Sequence, residues 1–360
     1  MQKIDSTAIS FLRFPLMVGV VCMHTDIRVY CPWLLDLPVT QAIMHLIINI
    51  LSGVSIPAFF FISGYLFFHE KTFSLNIYKQ KIITRFRTIC IPYILWNLIC
   101  LAIIWILQSI IPGFLLLLHK PINSLSCSDF LFLFWDISQI THLPDDQHGP
   151  LVGQFWFLQC LIFLTILSPI IYIANKRLKY TFPICLGIIY VFLSLPTYPG
   201  VDWEAYFYFS LGAYFSIHSI SLYDVTKKIS CYVYPICFIC TIASFFIYDI
   251  IILNNILLLI ISFDIIYNII ARQYKLPSIL ISSCFFIFAV HRFFTAVMTN
   301  LAKNEIILTR SELSAFCYFM IGTFLVIIIC ISLYWIMQRY IPRTINVLTG
   351  GRIFHHNKKQ

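Results

Sequence analysis

The sequence predicts an all-α, polytopic transmembrane helical bundle of about ten spans, with no separate soluble domain. Three observations lead there. Hydrophobic residues make up 60% of the 360 positions and charged residues 11%, against about 25% charged in a soluble domain. Such a chain cannot cover a water-facing surface, so the bilayer must be its solvent. The apolar residues fall in long continuous runs rather than the alternation of a barrel strand. Of the two structures that can span a membrane, this leaves the helix. Lysine and arginine are also distributed unevenly among the connecting segments, as they are when one set of loops is cytoplasmic.

Spans are expected at 8–28, 43–68, 88–111, 154–174, 181–196, 203–218, 231–249, 251–270, 279–300 and 314–338. The first run has no basic n-region followed by a small-residue cleavage site, so it is expected to stay as a span. The fifth and sixth are short and are divided by Leu195-Pro-Thr-Tyr-Pro-Gly200, a turn signal. With the N-terminus inside, the inner loops carry Lys71, Lys79, Lys81, Arg85 and Arg87, then Lys176, Arg177 and Lys179, then Lys227 and Lys228, then Arg272 and Lys275. The tail adds Arg339, Arg343, Arg352, Lys358 and Lys359, whereas the outer loops carry only Arg28, Lys120, Lys303 and Arg310. This asymmetry places both termini in the cytoplasm and requires an even number of spans. It also accounts for the formal net charge of +9 without a nucleic-acid partner. Residues 343–360 are expected to form a basic cytoplasmic tail near anionic lipid.

The outer segment 112–153 is long and partly apolar, as in Asp129-Phe-Leu-Phe-Leu-Phe-Trp135, and reads as an interfacial or re-entrant helix or a lid over a cavity. Most of the 13 cysteines lie inside apolar runs, where free Cys behaves as a small hydrophobe. Cys31 and Cys127 both fall in outer segments, where a disulfide between them is conceivable.

Ionisable residues on an apolar span usually face a bundle interior or a watery cavity. Arg13 and His24 are set three helical turns apart in the first span, so they share a face. His291 lies at similar depth in the ninth span, followed by Arg292. Asp264 is mid-span in the eighth, with no partner evident from its neighbours. Ser63 and Gly64 in the second span are small residues that permit close helix approach. Trp156, at the start of the fourth, suits an interfacial aromatic belt. The cluster Lys81, Arg85 and Arg87 abuts the membrane, and Arg in particular offers a fork suited to phosphate. Cytoplasmic loops are basic in any case, so topology alone is the competing explanation.

In order and spacing, several motifs resemble the acyltransferase 3 family of membrane acyltransferases. They are Leu12-Arg13 followed by His24; the Phe-Phe-Phe-Ile-Ser-Gly-Tyr run ending at Tyr65; the basic segment leading to Pro92-Tyr93 and Trp96; Trp156-Phe157-Leu158; and Phe288-Ala-Val-His291. The resemblance covers 1–342 as one acyltransferase 3-like transmembrane domain. It implies an enzyme moving an acyl group, commonly acetyl from acetyl-CoA, onto a hydroxyl of a cell-surface polysaccharide, lipopolysaccharide or lipid-linked sugar, in the bacterial cytoplasmic (inner) membrane. It implies an essential His24 and a basic segment that holds CoA. The family often shows Arg-x-x-Arg there, whereas this chain has Arg85-Phe-Arg87, so which cation meets phosphate is left open.

The residue chemistry is compatible. Acyl transfer to a hydroxyl needs a proton acceptor within hydrogen-bond reach, and histidine titrates near neutral pH. His24 is expected to be that base, with His291 as the rival. His24 ranks first because Arg292 adjoins His291 in sequence while His24 has no adjacent cation. On that reading His24→Gln should be no better than His24→Ala, since an amide cannot take the proton. Arg13 or a polar span residue is expected to stabilise the tetrahedral intermediate. No Gly-x-Ser-x-Gly elbow or Cys/His pair suggests a covalent acyl-enzyme, and no metal is called for. The alternative from another class is an exporter of a glycan intermediate, with His24, His291 and Asp264 as pathway residues.

Overall fold

The computed structural model describes residues 3–28, 30–69, 73–111, 118, 121–141, 148–193, 195–247, 249–304 and 310–351. Lys71, Lys120, Arg352, Lys358 and Lys359, which contribute to the loop-charge pattern, lie outside the described residues, as does the end of the expected tail.

The chain is an all-α bundle, and each of the ten expected spans is built on helix. Helix α1 is Lys3–His24; α2, Pro38–Met44, runs on as a π-helical segment His45–Leu51 into α3, Ser55–Phe67. Helix α4, Leu75–Arg85, passes through a π-helical turn at Phe86–Cys90 into α5, Ile91–Ile110. The third span therefore begins about three turns earlier than its hydropathy suggests. Helix α6 is Cys127–Trp135; α7, Trp156–Ile166, and α8, Ser168–Leu178, are set at 65° to each other. Pro169 stands in the first turn of α8, where it cannot donate to α7 and so ends it. Helices α9, Thr181–Phe192, and α10, Trp203–Ile217, precede α11, Leu222–Ala243, α12, Ile250–Ala271, α13, Ser278–Lys303, and α14, Glu312–Tyr340. A short α15, Pro342–Leu348, follows.

Among the described residues, seven helical stretches are long and apolar enough to cross a membrane, or eight if the bent α7–α8 pair is one span. The fifth and sixth expected spans are the exceptions. Helix α9 has 12 residues and α10 has 15, about 18 and 22 Å at 1.5 Å per residue against a hydrocarbon core of about 30 Å. Helix α10 is nonetheless at the centre of the bundle, against α3. An added Cβ on Gly64 would lie 2.0 Å from the Phe209 carbonyl oxygen, and one on Gly212 would lie 2.0 Å from that of Phe61. The two backbones touch where glycine leaves room.

Polar side chains tie the two ends of the bundle. At one end the buried Asp5 carboxylate accepts from Tyr267 Oη at 2.7 Å and Tyr65 Oη at 3.1 Å, joining α1, α12 and α3. Asp264 lies near this end, and it has partners that sequence neighbours could not show. Lys227 Nζ donates to it at 2.9 Å, Tyr234 Oη at 3.1 Å and Asn268 Nδ2 at 3.1 Å. Residues 342–351, the start of the expected tail, pack into the bundle: Ile345 and Leu348 are buried, and Trp96 Nε1 donates to the Leu348 carbonyl at 3.0 Å. At the other end Arg28 pairs with Asp26 at 2.7 Å and reaches Asn49 Oδ1 at 2.8 Å. The Glu312 carboxylate there accepts from the amides of Val39 and Thr40.

The long outer segment contains the expected helix, α6, opened by a reciprocal capping box between Ser126 and Asp129. It is fastened to the bundle. Tyr93 Oη donates to the Phe134 carbonyl, Gln159 Nε2 to that of Trp135 at 2.8 Å, and the Val152 amide to Asn97 Oδ1 at 3.0 Å. Cys31 is buried and Cys127 exposed, and neither is in a disulfide, so the conceivable bond between them is not formed.

Candidate active site

Helix α1 builds one wall of a cavity of about 470 Å³, within the ~300–1,000 Å³ of small-molecule sites. Arg13, Met17, Val20 and His24 line it in a stripe at i, i+4, i+7 and i+11, the successive contacts of one helical face. The shared face expected of Arg13 and His24 is therefore real, and it is turned inward. Helix α3 contributes Ile56, Phe59, Ile62, Ser63 and Leu66 to the wall. The remaining walls come from Arg85 and Ile89, from Gln154 to Leu161, and from α13 at Ile281 to Phe288. Trp156 lines this cavity. Gln154 Nε2 donates to the carbonyls of Phe288 and Ala289, at 3.3 and 3.0 Å, and so locks the turn before α7 onto α13.

The cavity has two chemically distinct ends. Arg13 lies close enough to Arg85 for their charges to repel, and among the described residues no carboxylate lines the cavity. Two cations held together without a counter-ion make an anion site. The basic segment is helical, which explains which of its cations takes part. Lys81 and Arg85, one turn apart, both stand over the Phe67 ring, at 5.1 and 5.7 Å from its centroid. They also line a smaller pocket beside the main one with Gln80 and Thr84. Arg87 falls on another face, is exposed, and does not line the cavity.

His24 stands about 16 Å further along α1, three turns at 5.4 Å. Its ring centroid is 5.1 Å from that of His291. The two histidines expected to share a depth are thus neighbours, with His24 on the cavity wall and His291 fully buried behind it. His291 Nδ1 is 2.9 Å from the Ile287 carbonyl, an oxygen that can only accept, while its Nε2 is buried without a hydrogen-bond partner among the described residues. Arg292 corrects an expectation. Its Nη1 lies 3.0 Å from His24 Nδ1, so the cation adjacent to His291 in sequence sits on His24 in space. Consecutive helical residues point about 100° apart, which turns Arg292 away from the ring it follows. Arg13 is three turns away from the histidines, beside Arg85. Asp264 lies outside the cavity in its own hydrogen-bonded cluster, which removes one of the three pathway residues of the exporter reading.

A family model described as an acyltransferase domain matches residues 6–335. The chain belongs to the acyltransferase 3 family. The cavity-lining residues from Arg13 to Phe288 all fall within the matched region. A curated relative, the succinoglycan biosynthesis protein ExoH of Rhizobium meliloti (strain 1021), is 23% identical over 218 residues, 60% of this chain. The match spans 55% of that protein's length. No solved structure matches the chain. The protein is an integral membrane protein by its apolar helices and its family. Among its described residues no group of three or more His, Cys, Asp or Glu side chains is placed to hold a metal.

Proposed function

We propose that the protein is an O-acyltransferase of the bacterial cytoplasmic (inner) membrane, with both termini cytoplasmic. It moves an acyl group, acetyl before longer chains, from acyl-CoA to a hydroxyl of a cell-surface polysaccharide, lipopolysaccharide or lipid-linked sugar. The observation that carries this reading is a single cavity with an arginine pair at one end and His24, backed by the buried His291, at the other. Arg13 and Arg85, with Lys81 beside them, suit the phosphates of CoA. His24 suits the reacting thioester and hydroxyl, and mostly apolar walls between the ends suit the thin arm that joins phosphate to sulfur. The basic end is the one that carries α4 and α15, which the loop charges assign to the cytoplasm, where acyl-CoA is found. The relative's place in succinoglycan biosynthesis supports a glycan acceptor.

The test is acetyl transfer by the purified protein in lipid nanodiscs, with isotopically labelled acetyl-CoA and a surface-glycan extract from cells lacking the protein. Labelled, base-labile acetyl ester in the glycan is the expected product. His24→Ala should lower its formation by about 10²-fold or more while acetyl-CoA still binds. A protein that moves glycan across vesicles but neither consumes acetyl-CoA nor labels the glycan would be an exporter instead.

A further inference from the structure

We infer that Arg292 is a positioning residue that fixes His24 as its Nε2–H tautomer, so that His24 serves as a hydrogen-bond donor to the reacting carbonyl and not as the base. This rests on the acyl-transfer reading above.

A guanidinium has only donors to offer. With Arg292 Nη1 at 3.0 Å from His24 Nδ1, that nitrogen must present its lone pair, and the proton of the neutral ring sits on Nε2. For His24 to act as a base it would have to bind a proton at Nδ1, displacing the guanidinium and putting a second positive charge beside it. His291 is held the opposite way. The Ile287 carbonyl at 2.9 Å is a pure acceptor, so His291 Nδ1 carries the proton and Nε2 is bare. That Nε2 is fully buried and has no hydrogen-bond partner among the described residues, an arrangement that needs a reason in a packed interior. Two rings 5.1 Å apart therefore present one donor and one acceptor, each set by a residue of α13.

The reaction then balances without any further group. The acceptor oxygen attacks the thioester carbonyl carbon and forms the new C–O bond. The carbonyl π pair moves onto oxygen, where His24 Nε2–H holds the developing charge. A neutral imidazole used as an electrophile is a known device. Collapse of the oxyanion breaks the C–S bond, and the leaving sulfur takes the hydroxyl proton as it departs, so a thiol is released and His24 ends as it began.

Three measurements test this. Nitrogen NMR of the protein labelled with ¹⁵N-histidine, with His24 assigned through His24→Gln, should show a bare Nδ1 and a protonated Nε2 for His24 in the wild type. Arg292→Met should convert that signal to a tautomer mixture, and Arg292→Lys, which keeps a cationic donor, should preserve it. In kinetics, losing one oxyanion donor costs about 10²–10³ in kcat, so His24→Ala should fall by that factor. His24→Gln, whose amide can still donate, should recover at least tenfold of the loss. Arg292→Met should lower kcat about tenfold at unchanged KM for acetyl-CoA, with Arg292→Lys restoring most of it. A His24→Gln no more active than His24→Ala, in protein that still binds acetyl-CoA, would overturn the donor role, as would a wild-type His24 protonated at Nδ1. If the wild type transfers no acetyl group at all, it is the acyl-transfer reading that fails; the tautomer result stands or falls separately.

Discussion

Arg85 and Arg87 are two residues apart and differ in everything that matters to an anion. Arg85 lines the cavity beside Arg13 and stands over Phe67, whereas Arg87 is exposed on another face. Arg85→Gln is expected to weaken acetyl-CoA binding at least tenfold and to reduce its salt sensitivity, because a phosphate contact is lost. Arg87→Gln should leave the dissociation constant within twofold. Isothermal titration at two ionic strengths decides, and equal effects from both would move the phosphates out of the cavity. In the outer segment, burial alone would raise the Asp136 carboxyl. Hydrogen bonds from Ser138 and His148 outweigh it and hold the group below its ordinary value. A depressed carboxyl contributes stability that is complete above its unfolded pKa, about 4, and is lost as pH falls through the lower folded value. Hydrogen exchange of the amides around Gly149–Val152 should therefore be slow at pH 6 and speed up below about pH 4. Asp136→Asn should be fast throughout that range.

At the scale of elements, the contact between α3 and α10 depends on two glycines. A methyl group at 64 would meet the Phe209 carbonyl oxygen at 2.0 Å, and both partners are helix backbone, which cannot yield as a side chain can. Gly64→Ala should force the helices apart and lower the melting temperature in detergent by several degrees, or reduce accumulation. Ser63→Ala, at a position that lines the cavity instead, should be tolerated in stability. A Gly64→Ala protein with wild-type melting would show that α10 docks otherwise. The same contact explains how α10, too short to be a full span, stays central: it buries Phe207, Tyr208 and Phe209 inside the bundle.

For the whole molecule, the positions of the polar clusters are consistent with one orientation. Asp5, Tyr65, Tyr267 and Leu348 gather at one end, and Arg28, Asn49 and Glu312 lie at the other. Both described termini are thus on one side. On the proposed topology Cys127, exposed at the start of α6, belongs to the opposite side. A membrane-impermeant maleimide should label it in intact spheroplasts of a variant whose other exposed cysteines are serine. Labelling only after permeabilisation would invert the topology.

Much was legible in the sequence by itself. The class of the fold follows from composition, because a chain with so few charges has no other solvent than lipid, and helices satisfy their own backbone there. The shared face of Arg13 and His24 follows from helical period alone. The helix of the long segment 112–153 is signalled by its apolar run, Asp129–Trp135. Other features required the tertiary structure because they depend on distances between residues far apart in the chain. The hydropathy window missed the amphipathic start of the third span, since a helix that leaves the bilayer becomes polar without ceasing to be a helix. Asp264 has Lys227 and Tyr234 as partners because α11 lies against α12. Above all, Arg292 follows His291 in sequence but rests on His24, because adjacent helical residues diverge in direction while residues on packed helices converge. The sequence determined that the protein is a membrane bundle with two histidines at one depth. Which of them meets Arg292 was decided by where α13 meets α1.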